Sequence, residues 1–415
     1  MHVLTEGSAS SSSRLPPFVA LQHRDFRLLW TGQLISQAGS QMQVVVINWH
    51  IYVLTGSPVA LGLVSLSRFV PIVAFSLIGG VFADTHDRKR ILLFTQSAMM
   101  IFAAILGLLT YSGGISVGLI YALSALSAAA MAFDAPARQA LPPNLVPPEH
   151  LTNALSLNNI MRQTASILGP GLVGFVIAWH GVAAVYWINA VSFLAVLIAL
   201  VLMKVATQQH LGTTRFTLSA VTEGIRFVWR SQILLSTTLL DFVGSFFSSA
   251  SALLPIFAEE ILRVGPQGLG VLYAAESAGA VVAGVGMSLA GNVRRKGPLV
   301  LWALAVYGAA TVLYGVSRWF VLSVLFLALV GAADTFSTIL RNTVRQLVTP
   351  DHLRGRMGSV NMLFARGGPQ LGSLEAGIVA AVIGAPLSVV TGGVATVVLV
   401  ALVAYFVPQL RSYQD

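Results

Sequence analysis

The stretch AVYWINAVSFLAVLIALVLM, residues 184–203, contains no charged side chain. A helix needs about 20 mostly apolar residues to cross the hydrocarbon core of a bilayer, which is about 30 Å thick. Similar stretches recur along the 415 residues, of which 56% are hydrophobic and only 9% are charged. The pattern predicts an all-α integral membrane protein, because a membrane β-barrel would instead show short segments of alternating polarity.

The apolar stretches predict twelve transmembrane helices, at 28–54, 59–83, 91–111, 117–138, 151–178, 184–203, 232–258, 267–291, 298–316, 320–343, 357–382 and 386–408. Only the connection over 204–231 is long and polar. We therefore expect a disordered cytoplasmic tail over 1–27, a six-helix bundle over 28–203, a cytoplasmic linker with an interfacial helix over 204–231, a second six-helix bundle over 232–408 and a cytoplasmic tail over 409–415.

Basic residues in short loops indicate which side of the membrane each loop occupies. Placing the N-terminus inside assigns the basic turns 88–90 and 294–296 to the cytoplasm, together with Arg341 and Arg345. Only Arg263 and Arg318 then face outward. Both termini are predicted to lie in the cytoplasm of a bacterium, with the chain in its inner membrane.

A short motif repeats between the two halves of the chain. Pro148-Glu149-His150-Leu151 returns as Pro350-Asp351-His352-Leu353, a spacing of 350 − 148 = 202 residues. A direct repeat of six helices predicts two bundles related by an axis along the membrane normal, with a binding site near the midplane between them.

Polar residues within the crossings predict where such a site lies, because they are costly in lipid and normally face a cavity or a partner. Crossings 3, 6, 9 and 12 have no charge in their interiors and are expected to face lipid. Polar faces on the others predict a substrate cavity lined by Gln33, Gln37, Gln41, Asn48, Asn158, Arg162, Asp241, Ser245, Asp334, Thr338 and Arg366. The Ser and Thr members equally fit helix packing. Arg162 and Arg366 equally fit an anionic substrate group or a carboxylate partner.

Proton coupling requires an acid whose surroundings change between two states of the carrier. Asp241, Glu276 and Asp334 are the candidates, and a static ion pair between the bundles is an equal alternative for each of them. Arg68 and Glu375 are placed at similar depth in crossings 2 and 11, which predicts a gating ion pair.

Two motifs carry a family resemblance. The turn after crossing 2 reads Gly80-Val-Phe-Ala-Asp84-Thr-His-Asp-Arg88-Lys89-Arg90, and crossing 5 contains Gly169-Pro170-Gly171-Leu172-Val173-Gly174. They resemble motif A and the antiporter-type motif C of the major facilitator superfamily, although Asp87 stands where motif A commonly has glycine. The resemblance implies the major facilitator fold and gating roles for Asp84, Arg88, Gly169 and Pro170.

Longer runs, over 135–142, 153–154, 188–194, 269–275 and 354–356, look like the branch of enterobactin exporters and macrolide efflux proteins. The resemblance implies a secondary active transporter that exports amphipathic drug-like or siderophore-like molecules by proton antiport, through rocker-switch alternating access, as a monomer in contact with lipid. One alternative is a lysophospholipid flippase or solute importer of the same fold. Another is a membrane receptor or assembly partner that transports nothing.

Other classes of function lack a signal. The chain has no phosphate-binding Gly-Lys-Ser/Thr loop for ATP, no cysteine, and only scattered histidines, so no cofactor, metal site or catalytic residue is predicted. The net charge of +9 comes from residues in short loops rather than from one soluble face, which argues against a nucleic-acid partner.

Overall fold

The computed structural model of the protein describes residues 18–204, 226, 229, 231–247, 250–291, 293–350 and 354–413. Across these ranges the chain is helical and contains no β-strand, which confirms the predicted all-α class. Nine helical segments within them are long and apolar enough to cross a bilayer: Pro58–Ser76, Arg88–Tyr111, Val117–Asn144, Pro148–Leu202, Gln232–Ile261, Gly265–Ala290, Lys296–Val316, Phe320–Val348 and Ala385–Phe406.

The first half of the chain contains α1 (Arg24–Thr55), α2 (Pro58–Thr85), α3 (Arg88–Tyr111) and α4 (Val117–Gln139). The segment Leu151–Leu202 follows and is interrupted at Gly181, where φ is 80°. Glycine adopts this conformation readily because it has no Cβ. The interruption divides the segment into α5 (151–180) and α6 (182–202).

The second half contains α7 (Gln232–Phe247), α8 (Gly265–Ala290), α9 (Lys296–Val316), α10 (Phe320–Val348), α11 (Arg354–Ile383) and α12 (Ala385–Phe406). Beyond α7 the chain continues through a 3-10 turn, Ala250–Leu253, and a π turn, Phe257–Ile261. Gly384, with φ of 87°, separates α11 from α12. It lies 384 − 181 = 203 residues after Gly181, close to the spacing of the sequence repeat.

The two predicted tails need correction. Val19–Gln22 form a 3-10 turn with Ala20 buried, and α1 begins at Arg24, so the end of the predicted 1–27 tail is ordered. The Ala20 amide donates to Asn153 Oδ1 at 3.1 Å. The segment Pro408–Arg411 is likewise helical, with Leu410 buried against the second half. Burial of these apolar side chains fixes both segments. Residues 1–17 and nearly all of the predicted linker lie outside the described residues.

The helices pack in two groups, α1 to α6 and α7 to α12. In the first group α1 packs along α5 and α6, and α2 along α4. In the second group α10 packs along α8 and α9, and α12 along α9. The groups meet principally where α5 contacts α8 and where α2 contacts α11.

Glycines bring the two groups close together at one end of the molecule. We term this the far end, which carries Gly56, Gly181 and Gly384, and the opposite end, which carries Arg24 and Lys204, the near end. A Cβ on Gly270 of α8 would lie 2.7 Å from the carbonyl oxygen of Pro170 in α5. Between α11 and α2, a Cβ on Gly377 would lie 3.2 Å from the amide nitrogen of Gly62. A larger residue at these positions would push the two groups apart.

Candidate functional site

A buried ion-pair network joins α7 to α10. Asp241 is only 6% exposed, and its two carboxylate oxygens face Arg341 Nη2 at 3.1 Å and Arg345 Nη1 at 3.1 Å. Arg341 and Arg345, which are predicted on the cytoplasmic side, are both buried, because α10 continues to Val348. A carboxylate enclosed by two guanidinium groups has the geometry of a strong, charge-assisted pair.

Asp334 stands at the edge of this network. Its side chain is 49% exposed and lies 3.7 Å from Arg341 Nη2, which also donates to Thr338 Oγ1 at 2.9 Å. Asp241, Asp334, Arg341 and Arg345 together carry two negative and two positive charges. Glu276 of α8 is half-buried, and its backbone packs against Gly331 of α10, one helical turn before Asp334. The structure thus groups all three predicted coupling acids around α10.

Ser245 of α7 bonds to the backbone of Asp241. Its hydroxyl donates to the carbonyl oxygen of Asp241 at 2.5 Å, as serine commonly does one turn along a helix. This bond supports the packing alternative for Ser245.

The cavity residues predicted on α1 lie in different surroundings. Gln33 is buried, Gln37 is half-buried, and Gln41 lies against Gly169 of α5. Asn48 donates to the hydroxyl of Tyr273 in α8 at 3.1 Å, which links the two helix groups at the far end.

A second hydrogen bond closes the far end. The Tyr52 hydroxyl of α1 donates to Glu260 in the π turn after α7. Because the glycine contacts between α5 and α8 and between α2 and α11 lie at the same end, the two groups are joined there.

The near end of α5 presents polar side chains to open space. Asn159, Arg162 and Gln163 are exposed, Asn158 is half-buried, and Arg162 donates to Asn159. Exposed groups of this kind are not tolerated against lipid and require a water-filled space. The described part of α5 therefore borders an aqueous gap that is open at the near end. The Arg366 side chain lies outside the described residues.

The predicted ion pair between Arg68 and Glu375 is not formed among the described residues. Phe69 contacts Gly367, which puts Arg68 level with this part of α11. Gly62 lies beside Leu374, so Glu375 is about seven residues further along the helix. At 1.5 Å per residue the two charges are offset by about 10 Å along the helix axis. The equal depth inferred from sequence is therefore wrong.

The basic turn before α3 binds helix ends of its own group. Arg88 Nη1 donates to the Ala140 carbonyl at 2.9 Å, and Lys89 Nζ donates to the Met203 carbonyl at 2.9 Å. Cations at the C-terminal ends of α4 and α6 are favourable because these ends expose unpaired carbonyl groups. The Asp84 side chain lies outside the described residues, so its expected pair with Arg88 stays a prediction.

The first group contains a recess that the sequence did not reveal. It holds about 550 Å³ of empty space, including space open to the surroundings, between α1, α2, α3, α4 and α6. Its polar lining residues are Ser40, Gln43, Arg68, Ser124, Ser127 and Asn189. None of the predicted cavity residues lines it. The signal available in the sequence was the pair Ser124 and Ser127, three residues apart on one face of α4.

The described part of the chain contains no group of three His, Asp or Glu side chains that could hold a metal ion. Its functional features are instead two packed helix groups, buried charge networks and an aqueous gap between membrane-crossing helices. These features define a helical membrane transporter of the major facilitator type. The chain belongs to the family described as transmembrane secretion effectors (MFS_3), whose profile matches residues 15–415. It is therefore a transporter and not an enzyme.

Curated relatives agree with this family. The chain is 25% identical to the multidrug efflux pump Tap of Mycolicibacterium fortuitum, over 93% of this chain and 96% of the relative. It is also 25% identical to the enterobactin exporter EntS of Shigella boydii, over 95% of this chain and 94% of the relative. These matches confirm the resemblance to the efflux and siderophore-export branch of the superfamily.

A solved structure shows the same fold. A bacterial homologue of the human lysosomal transporter Spinster superposes with a TM-score of 0.73 at 13% identity, over 96% of this chain and 99% of that chain.

Proposed function

We propose that this protein exports amphipathic, drug-like or siderophore-like molecules across a bacterial inner membrane by proton antiport, as a monomer with both termini in the cytoplasm. The relatives named above are exporters of this kind, and proton antiport is one way to drive such export. The near end carries the basic turn 88–90, which supports its cytoplasmic assignment.

The observation that carries this proposal is the asymmetry between the two ends. The far end is joined by the bonds of Asn48 and Tyr52 and by close glycine contacts, while polar residues of α5 face an open gap at the near end. This is the geometry expected of an inward-open state. In a rocker switch the far-end contacts break as near-end contacts form. Gly169 and Pro170 are then the positions at which α5 bends.

Asp334 is the best placed proton acceptor. Its carboxylate is half exposed next to the buried network, whereas that of Asp241 is already enclosed by Arg341 and Arg345. Protonating Asp334 leaves the four-charge network with one surplus positive charge and frees Arg341 from one partner. Such a change in charge balance shifts the relative energies of the two states. Asp241 then has a structural role and Glu276 modulates Asp334.

The test is proton release from energised inverted vesicles on addition of lipophilic cations, macrolides or catecholate siderophores. We expect compound-dependent release by wild type and by the exposed-loop control Glu149→Gln, and none by Asp334→Asn, which should retain substrate counterflow without a gradient. Release by folded Asp334→Asn at the wild-type rate would refute the role of Asp334. No response to any compound by folded wild-type protein would favour the flippase, importer or receptor alternatives.

A further inference from the structure

The recess in the first helix group contains Arg68, which has no partner in the part of the chain that the structure describes. No hydrogen bond or ion pair reaches the Arg68 guanidinium from any described residue. Three other arginines in the helices differ: Arg138 pairs with Asp134, and Arg341 and Arg345 pair with Asp241. An unpaired charge within a membrane is costly, and one that is retained usually has a functional partner.

Two hydroxyl groups that line the same recess have no hydrogen-bond partner among the described residues. The Oγ atoms of Ser124 and Ser127 are buried and accept or donate no hydrogen bond, and Ser124 is only 3% exposed. Buried hydroxyls in helices normally bond to the carbonyl one turn earlier, as Thr311 and Thr396 do in this protein. The two serines instead leave their donors available at the wall of the recess.

The side-chain oxygens of Gln43 and Asn189, which also line the recess, already accept hydrogen bonds. Asn189 Nδ2 donates to Gln43 Oε1 at 2.5 Å, and Asn189 Oδ1 accepts from Ser192 Oγ at 3.1 Å. The Arg68 guanidinium is the one charged group among the described residues that line the recess, and it suits a ligand that accepts hydrogen bonds and carries negative charge. Apolar side chains, including Ile72, Met131 and Phe193, line the rest.

We propose that this recess binds the anionic oxygen group of an amphipathic molecule, a carboxylate or a phosphate, between Arg68 and the hydroxyls of Ser124 and Ser127. The apolar wall, which includes Ile72, Met131 and Phe193, receives the hydrophobic body of the ligand. The inference rests on the proposed export function and narrows its substrate class to anionic amphipaths. The same chemistry occurs in soluble organic acids and in anionic lipid headgroups.

Binding is tested on the full chain in phosphatidylcholine nanodiscs by calorimetry, with three probes that share one ring system: 2-naphthoate, 2-naphthyl phosphate and 2-naphthylmethylammonium. We expect both anions to bind and the cation not to bind. Arg68→Gln should weaken anion binding about 10- to 100-fold, because hydrogen bonds to charged groups are strong. The double variant Ser124→Ala with Ser127→Ala should weaken it about 5-fold or more without loss of fold, since it removes only unbonded hydroxyls.

Arg318→Gln is the matched control, because Arg318 is exposed in the turn between α9 and α10 and far from the recess in the chain. Its anion affinity should equal that of wild type. Equal affinity of folded Arg68→Gln and wild type, or equal binding of the cation, would overturn the proposal.

The source of the anion is distinguished by native mass spectrometry with mixed phosphatidylglycerol and phosphatidylcholine. Phosphatidylglycerol that stays on wild type and is lost from Arg68→Gln identifies a lipid headgroup as the occupant. Equal lipid retention, with naphthoate binding lost from the variant, identifies a soluble acid. If naphthoate binds through Arg68 but the protein moves no solute in vesicles, the recess stands and the export function fails, so the two failures are separable.

Discussion

Replacing Asp241 with asparagine is the most informative perturbation of the charge network. The substitution removes a carboxylate that faces buried guanidinium nitrogens at 3.1, 3.1 and 3.2 Å. The contacts of Arg345 with Asn342 Oδ1 and with the Arg341 carbonyl remain, and both of these partners are neutral. Breaking a buried ion pair from one side costs about 3–5 kcal/mol, because the other charge stays buried without compensation. We expect Asp241→Asn to lower the free energy of unfolding by about this amount.

Asp334→Asn is the matched comparison on the same network. Its side chain is 49% exposed and its contact to Arg341 is longer, at 3.7 Å. Accessible pairs contribute about 0–1 kcal/mol, so the expected loss is several times smaller. The measurement is unfolding in detergent micelles by titration with sodium dodecyl sulfate, followed by tryptophan fluorescence.

A double variant distinguishes the effect of lost packing from the effect of leaving a buried arginine without its counter-ion. Asp241→Leu with Arg345→Leu removes one charge of each sign and leaves Arg341 with Asp334. It should regain most of the stability lost in Asp241→Asn, because apolar replacements of buried pairs are often nearly neutral. Our reasoning is refuted if Asp241→Asn is as stable as wild type, or if it loses no more than Asp334→Asn.

Three further changes test other contacts. Gly174→Val should hold α5 and α8 apart, because its Cβ would meet the backbone of Pro266 and Gln267 in α8. Gly171→Val is the control and should be tolerated, because its Cβ would have only one contact, at 3.7 Å. The separation of the two helices is measured by disulfide cross-linking between cysteine pairs introduced into this cysteine-free chain. Asp134→Asn should cost about 3–5 kcal/mol of stability, because the carboxylate accepts from three side chains at full burial; wild-type unfolding behaviour would contradict this. Tyr52→Phe should weaken far-end closure by about 1 kcal/mol, read as faster labelling of a far-end cysteine, and unchanged labelling would argue against a gating bond.

Local sequence patterns predicted the helices well but not their ends. The apolar runs locate the crossings because lipid demands a continuous helix of fixed length. Helix ends depend on contacts distant in the chain: Ala20 is fixed by Asn153, and α10 extends to Val348 because Arg341 and Arg345 find Asp241 on another helix. A loop-charge pattern cannot reveal such partners.

Some features of the candidate site followed from sequence and others did not. The sequence identified Asp241 and Asp334 as special, since acids within apolar helices are rare. It misplaced Arg68 and Glu375 by about 10 Å, because depth estimated from helix ends ignores how antiparallel helices are offset. It also overlooked Ser124 and Ser127, which are ordinary residues on a helix until neighbouring side chains leave their hydroxyls unbonded.

The sequence by itself determined the class of this protein: a helical membrane transporter with the motifs of its family. Those properties are local, because hydrophobicity, glycine conformation and turn charge act within a few residues of each other. The tertiary structure alone decided which charges pair, which end of the molecule is joined and that Arg68, Ser124 and Ser127 line one recess. These are consequences of helix rotation and offset, which place residues from distant parts of the chain within hydrogen-bonding distance.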